Sequence, residues 1–193
     1  MRQQYIIVVL LAALCMMSCK EEDNTVQEYA NWQAKNEAYF EQAYAEYSSG
    51  TNGKMLLKRL TLSDSISITD ANHDDCILVD VIESGINDGT RPLYSSTVYV
   101  HYRGWLIPSP SYPLGYQFDS SYLNEFDAEV AEPAELKVNS LVEGFSLALQ
   151  HMSRGDHWRI TIPYALGYGE TGSGTTVPGY STLIFELWLD DFE

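Results

Sequence analysis

Three segments beyond residue 90 alternate apolar and polar residues with a period of two, namely 97–106, 158–162 and 183–189. In the first of them, Val98, Val100 and Tyr102 fall on one face of an extended chain. A period of two is typical of β-strands with one buried face. A further apolar run at 76–82 also favours a strand, and only 141–152 has the pattern of a helix. The sequence therefore predicts an α+β domain in which an antiparallel sheet wraps halfway around one short helix.

The distribution of histidine, glycine and cysteine predicts neither a metal site nor a cofactor. Metal-ligand spacing is absent among the four histidines, at positions 73, 101, 151 and 157. Gly167 and Gly169 lie outside the strand-to-helix context of a nucleotide-binding loop. Because His101 and His157 fall on the polar faces of predicted strands, we expect both side chains to be exposed. Cys76 lies in an apolar run and is expected in the core.

An additional helix is predicted before this domain, at 26–47, where Gly and Pro are absent. Aromatic residues recur there at steps of three and four, which places most of them on one helical face. They are Tyr29, Trp32, Tyr39, Phe40, Tyr44 and Tyr47. We favour an amphipathic helix that packs on its own domain over an aromatic face used for dimerisation or partner binding.

The first 19 residues have the pattern of an export signal. Arg2 precedes an apolar run at 6–14, which is too short to span a bilayer as a permanent helix. The sequence MMSC at 16–19 resembles a bacterial lipoprotein box, which implies cleavage before Cys19 and lipidation of that residue. The acidic cluster at 20–23 resembles the surface-export signal of Bacteroidetes-type lipoproteins. The alternative is an ordinary signal peptide with an incidental cysteine.

The charge of the chain excludes nucleic acid as a partner. Aspartate and glutamate outnumber lysine and arginine 27 to 11, which gives a net charge of −16. Such a surface repels phosphates instead of neutralising them. The charge favours solubility and says nothing about the fold.

Five segments occur in the order of one known family. They are VYVHYRG at 98–104, FDSS at 118–121, VEGF at 142–145, IPYALGYG at 162–169 and TLIFEL at 182–187. Together they resemble the FKBP-type peptidyl-prolyl cis-trans isomerases over residues 76–193. The resemblance implies an FKBP-like fold and rotation about X–Pro bonds. That reaction breaks no covalent bond and therefore requires no nucleophile.

The same resemblance implies which residues form the site. The catalytic residues would be Tyr102, Asp119 and Tyr168. The residues that bind the substrate in an apolar slot would be Phe118, Leu141, Val142, Phe145, Val177 and Phe185. By analogy with the family, the Tyr168 hydroxyl and the Val142 backbone N–H bind substrate carbonyls and favour the twisted amide.

Two departures from the family pattern modify this expectation. Glu132 and Ala134 stand where the family usually has two aromatic residues, so we expect one wall of the slot to be small and charged. Macrolide inhibitors of the rapamycin type would then bind more weakly than in a typical member. The segment 107–117 contains three prolines and is longer than the usual hairpin. We expect it to lean over the slot.

The sequence as a whole predicts an isomerase that acts on proline-containing polypeptides of exported proteins. It would be lipid-anchored in the bacterial cell envelope, at the outer membrane, on either the periplasmic or the surface face. The predicted divisions are a signal peptide at 1–18, an acidic tether and helix at 19–53, and an FKBP-type domain at 54–193. The alternative is a non-catalytic peptide-binding or chaperone module, because a fold does not prove activity. The pattern specifies no oligomeric state.

Overall fold

The computed structural model describes residues 26–48, 53–68, 70–123, 126–127 and 130–193. Its strands are β1 (Lys54–Lys58), β2 (Cys76–Glu83), β3 (Thr97–Leu106), β4 (Gln117–Ser120), β5 (Ala134–Lys137), β6 (His157–Ile162) and β7 (Leu183–Phe192). Its α-helices are α1 (Trp32–Ser48) and α2 (Glu143–Leu149). None of the helices in the described ranges combines the length and apolar character needed to cross a bilayer. The predicted signal peptide and Cys19 lie outside these ranges.

The strands form one sheet in the order β1–β2–β6–β7–β3–β4, and β5 also pairs with β3. Every one of these pairs is antiparallel. Since β7 runs along one edge of β3, the shorter β4 and β5 share its other edge. Residue 119 of β4 lies opposite Gly104, whereas Leu136 of β5 lies opposite Val98. Asp119 and Leu136 therefore both lie along the same edge of β3.

Helix α2 packs against one face of the sheet, and together they enclose the core. The core residues of β7 are those at alternate positions, beginning with Leu183 and Phe185. Gly144 allows the helix to approach closely, because a Cβ there would lie only 2.4 Å from Cγ2 of Ile162. The predicted α+β fold, with an antiparallel sheet around one short helix, is confirmed. The helix is shorter than the predicted 141–152, since Val142 has the extended backbone of an N-cap residue.

The additional N-terminal helix is present and packs on its own domain, as favoured from the sequence. Its buried side chains are Trp32, Asn36, Phe40 and Tyr47. Trp32 Nε1 donates a hydrogen bond to Ser181 Oγ at 2.8 Å, and Asn36 Oδ1 accepts one from the backbone N–H of Thr182 at 2.7 Å. The aromatic pattern alone did not indicate that a buried amide would form part of this contact.

The start of α1 differs from the prediction. Helical geometry begins at Trp32 and not at residue 26, and a turn at 28–31 precedes it. Asn31 has φ of 54°, which lies in the left-handed region and is incompatible with a continuous right-handed helix. Tyr29 therefore lies before the helix, although its ring meets that of Trp32 at 4.9 Å.

The expectation that His101 and His157 are exposed is wrong. Their exposed fractions are 5% and 9%. The His157 ring stacks on Trp188 at 4.0 Å, and the His101 ring meets Phe126 at 5.0 Å. Aromatic residues from separate parts of the chain therefore cover a sheet face that strand alternation alone marks as polar. Cys76 is buried as predicted, and burial raises the pKa of its thiol to about 11.

Candidate active site

An apolar cavity of about 140 Å³ opens between α2 and the sheet, and we call it the slot. Its lining comes from β3, β4, β5, β7, the segment 140–145 and the turn after β6. The lining residues are Tyr102, Asp119, Leu136, Ser140, Leu141, Val142, Phe145, Tyr168 and Phe185. The volume is below the roughly 300–1,000 Å³ of pockets for drug-sized ligands. The slot therefore accommodates a single small ring or side chain.

Three aromatic rings form the floor and walls of the slot. Phe145 and Phe185 meet edge to face, with ring centroids 4.9 Å apart at an interplanar angle of 90°. The ring of Tyr102 meets Phe145 at 5.9 Å and Phe185 at 6.2 Å, also edge to face. Edge-to-face packing is a favourable arrangement of aromatic rings. It also leaves part of each ring surface uncovered, and these surfaces face the cavity.

A glycine in β3 is necessary for this ring arrangement. A Cβ on Gly104 would lie 2.6 Å from Cε1 of Phe185 and 2.7 Å from Cζ of Phe118. Both rings therefore lie directly over the strand backbone, and their own contact is edge to face at 5.4 Å. Phe118 supports Phe185 from behind and does not itself line the slot.

The acidic group of the slot is held by the strand and by a neighbouring hydroxyl. The Tyr102 hydroxyl donates a hydrogen bond to Oδ2 of Asp119 at 3.0 Å. The other carboxylate oxygen, Oδ1, accepts the backbone N–H of Ser120 at 2.8 Å. Burial, followed by the charge of Asp119, raises the pKa of Tyr102 well above its usual range. The hydroxyl therefore remains protonated at physiological pH and orients the carboxylate.

A second hydroxyl is positioned by the turn after β6. Tyr168 follows the short 3-10 turn Tyr164–Leu166, and the Gly169 N–H closes this turn on the Tyr164 carbonyl at 2.9 Å. Burial, and then the Asp119 charge, raises the pKa of Tyr168. Its hydroxyl is therefore a neutral hydrogen-bond donor at the edge of the apolar slot.

The N-terminus of α2 contributes a backbone donor. Val142 is the N-cap residue, and its carbonyl accepts the N–H of Ser146 at 3.0 Å. The Val142 N–H precedes the helical residues, where helix geometry supplies no acceptor. Val142 and Tyr168 both line the slot.

Seven of the nine residues expected in the site from the family resemblance line this slot. They are Tyr102, Asp119, Leu141, Val142, Phe145, Tyr168 and Phe185. Phe118 lies behind the wall. Val177 is buried in the loop before β7, where it pairs with Ser173, and it does not line the slot.

The expected wall at Glu132 and Ala134 is wrong. Leu136 lines the slot instead, and Glu132 is exposed to solvent. The position along β5 decides this: Leu136 pairs with Val98, whereas Ala134, two residues earlier on the same strand face, pairs with Val100 and does not line the slot. The family resemblance placed this wall at Glu132 and Ala134, whereas the residue that lines the slot is Leu136. Ser140, which also lines the slot, had no signal of its own.

The proline-containing segment 107–117 does not lean over the slot, contrary to expectation. None of its residues lines that cavity. It lies instead against the chain just before α1, where Glu28 accepts hydrogen bonds from the Ser109 hydroxyl and from the Ser111 backbone N–H. These bonds lower the pKa of Glu28. The extra length of this hairpin therefore serves the contact with the N-terminal region.

The site of this protein is an apolar slot with tyrosine hydroxyls at its edge. It lies on a sheet that wraps around a short helix. The family model for FKBP-type peptidyl-prolyl cis-trans isomerase matches residues 89–190, which is more than half of the 193 residues. The chain belongs to the FKBP-type peptidyl-prolyl cis-trans isomerase family.

Individual relatives agree with this assignment. The FKBP-type 22 kDa peptidyl-prolyl cis-trans isomerase of Escherichia coli K12 is 41% identical over 109 residues, which cover 56% of this chain and 46% of that protein. The FK506-binding protein of Neisseria meningitidis is 30% identical over 113 residues, which cover 58% of this chain and 93% of that protein. The chain thus spans about half the length of the E. coli relative.

Solved structures show the same fold. The crystal structure of FkpA from Escherichia coli matches with a TM-score of 0.58 and 26% identity, and the match covers 85% of this chain and 62% of that one. A peptidyl-prolyl cis-trans isomerase from Pseudomonas syringae matches with a TM-score of 0.56 at 24% identity, over 82% of this chain and 96% of that one. The predicted FKBP-like fold is therefore confirmed.

Proposed function

We propose that this protein catalyses cis-trans isomerisation of X–Pro bonds in exported polypeptides. The observation that supports this most directly is the slot, whose small volume and edge-to-face walls of Phe145 and Phe185 suit a single proline ring. The barrier to rotation is about 20 kcal/mol because the amide must lose its resonance. A dry apolar site disfavours the charge-separated resonance form of the planar amide and so lowers this barrier.

The polar groups at the edge of the slot favour the twisted state. The Tyr168 hydroxyl and the Val142 N–H donate to the carbonyls that flank the rotating bond, and the aromatic walls hold the ring while the preceding carbonyl turns. Only interactions that are stronger with the twisted amide than with the planar one accelerate rotation. The role of Asp119 is to fix the Tyr102 ring through their hydrogen bond of 3.0 Å.

A protease-free isomerisation assay on a short X–Pro peptide tests the proposal. We expect turnover that saturates with peptide concentration. A protein that binds the peptide but leaves its cis-trans exchange rate unchanged would instead be the peptide-binding or chaperone module named as the alternative. A Phe145→Ala variant, which removes one slot wall, is the negative control for adventitious isomerase activity in the preparation.

We further propose that macrolide inhibitors of the rapamycin type bind in the slot with reduced affinity. Leu136 offers less contact surface than an aromatic side chain would at that position. Leu136→Phe should therefore strengthen macrolide binding. Ala134→Phe is the matched control, since Ala134 does not line the slot. Equal effects of the two changes on the dissociation constant would contradict this arrangement.

We also propose that the protein is anchored in the bacterial cell envelope through lipid on Cys19, at the outer membrane. The support is the MMSC sequence at 16–19 after an apolar run. Cys19→Ser should abolish metabolic labelling with fatty acid and release the protein into the soluble fraction, since a multiply acylated residue holds far more firmly than a single chain. Cys76→Ser is the control that removes the buried cysteine. Continued labelling of Cys19→Ser would refute the anchor.

A further inference from the structure

A second cavity shares Leu141 with the slot. Its volume is about 450 Å³, compared with 140 Å³ for the slot. Besides Leu141, its main lining residues are Leu60, Tyr94, Ser146, Leu147 and Gln150. We call this cavity the α2 groove, because one side of α2, at residues 143, 146 and 147, forms one of its walls.

The groove presents apolar side chains to solvent. Leu60 is 61% exposed and Tyr94 is 59% exposed, and the neighbouring Leu93 is also largely exposed. These residues come from two separate parts of the chain, the turn after β1 and the turn before β3. Single exposed apolar residues are ordinary, whereas a group of them beside a cavity is typical of a binding surface.

An ion-pair cluster holds the groove in shape. Nε and Nη2 of Arg59 bind the two carboxylate oxygens of Glu143 at 3.0 and 2.6 Å, and Nη1 binds Asp75 Oδ1 at 3.0 Å. The bidentate pair fixes the residue directly before Leu60 against the first turn of α2. The wall that Leu60 forms is therefore in place before any ligand arrives, which reduces the entropy cost of binding.

The polar groups of the groove are already engaged with the protein itself. The Ser146 hydroxyl donates to the Val138 carbonyl at 2.6 Å, and the Gln150 side-chain amide donates to the Ser146 carbonyl at 3.0 Å. The Glu143 carboxylate is paired with Arg59. A ligand in the groove thus gains chiefly by burying apolar surface, which favours a large apolar side chain over a charged one.

We propose that the α2 groove is a second subsite for the polypeptide substrate, which takes a large apolar side chain such as Leu or Phe near the proline. This proposal rests on the isomerase function proposed above. Since Leu141 lines both cavities, a chain whose proline ring occupies the slot reaches the groove by passing one side chain.

A peptide series tests the subsite. The peptides contain one Ala–Pro bond in an all-Ala background, and a single Leu is moved through the three positions on either side of that dipeptide. We expect one Leu position to raise kcat/KM about fivefold over the all-Ala peptide, mainly through KM. Leu60→Ser and Tyr94→Ala should remove this gain and leave turnover of the all-Ala peptide unchanged. Leu114→Ser, at a side chain that is 93% exposed and lines neither the groove nor the slot, should retain the gain.

Three results would overturn the subsite. They are equal turnover of all peptides by the wild-type protein, equal losses on Leu and all-Ala peptides in Leu60→Ser, and self-association that Leu60→Ser abolishes without any Leu preference. The last would assign the groove to a second copy of the chain. Dissociation constants for the same peptides separate this proposal from the isomerase function. A protein that does not turn over the all-Ala peptide but still binds the Leu peptide about fivefold more tightly would refute the function and retain the subsite.

Discussion

On the face of the sheet that packs against α2, the rings of Phe145 and Phe185 meet at 90° around an open slot. On the opposite face, His157 and Trp188 stack at an interplanar angle of 16°, and Phe126 lies against Trp188 at 28°. Stacked rings cover each other's faces, although Phe126 and Trp188 also border a cavity of about 170 Å³ beside His101. Rings that meet edge to face leave part of their surface for a ligand. The same residue types thus line the slot on one face and form a stacked cluster on the other.

The polar groups of the two faces also differ in whether the protein itself supplies their hydrogen-bond partner. Glu186 accepts hydrogen bonds from both His157 and Arg159 on the face opposite α2, at 3.0 and 3.3 Å. Its charge is therefore compensated within the sheet. The Tyr168 hydroxyl borders the slot, where a substrate carbonyl is its proposed acceptor. If this comparison is correct, changes on the slot face alter activity, and changes on the other face alter stability alone.

The largest expected effect is that of removing a slot ring. Phe185→Ala should lower the free energy of unfolding by about 3–5 kcal/mol, because a buried ring is replaced by a void, and should also abolish most isomerase activity. Trp188→Ala should lower stability and leave kcat/KM of the folded protein unchanged. Urea unfolding and peptide turnover, both measured on each variant, check the contrast. Loss of activity in folded Trp188→Ala would mean that the two faces are not independent.

The contact of α1 tests the stability side of the comparison. Asn36→Ala removes the acceptor of the Thr182 N–H, which is buried, and should lower the free energy of unfolding by about 1–3 kcal/mol. Gln33→Ala, which removes an exposed hydrogen bond to Glu37, is the matched control with an effect near zero. Activity per folded molecule should be unchanged in both. A fall in kcat/KM for Asn36→Ala alone would show that α1 also positions the slot.

A smaller effect, confined to activity, is expected for Tyr168→Phe. The change deletes one donor and keeps the ring, so kcat/KM should fall about two- to tenfold, the equivalent of a hydrogen bond of about 0.5–1.5 kcal/mol. Tyr99 lies on β3, and its hydroxyl makes an exposed hydrogen bond to Glu193. Tyr99→Phe removes this hydrogen bond and should leave the rate of isomerisation unchanged. Stopped-flow or exchange NMR measurements of the peptide check both. Unchanged turnover in Tyr168→Phe would remove that hydroxyl from the mechanism.

The smallest expected effect is a pH dependence of stability that originates at His101. Burial lowers the pKa of this imidazole, while the charge of Asp190 acts in the opposite direction. The folded protein therefore binds its proton less readily than the unfolded chain, whose histidine pKa is about 6.5. The stabilisation is complete above that pH and is lost as the pH falls from about 6.5 towards the folded pKa. Unfolding curves between pH 5 and 8 should show a smaller slope for His101→Phe than for the wild type.

Much of the fold and most of the site could be anticipated because they depend on local pattern. The alternation in 97–106 placed Val98, Val100 and Tyr102 on one face, and β3 occupies those same residues. Motif order then assigned the aromatic walls without knowledge of any contact. Segment boundaries were less accurate, because the left-handed backbone of Asn31 delays α1. A residue's identity alone does not reveal such a conformation.

The sequence by itself determined the longer strands, the residues of β3 that face α2 and, through the family motifs, seven of the side chains that line the slot, because periodicity and motifs are read along the chain without knowledge of contacts. Only the tertiary structure decided that Leu136 and not Glu132 lines the slot, since the pairing register of β5 with β3 sets that wall. It also decided that His101 and His157 are buried. Burial depends on what covers a strand face, and the covering rings of Phe126 and Trp188 come from positions that strand periodicity does not relate to either histidine.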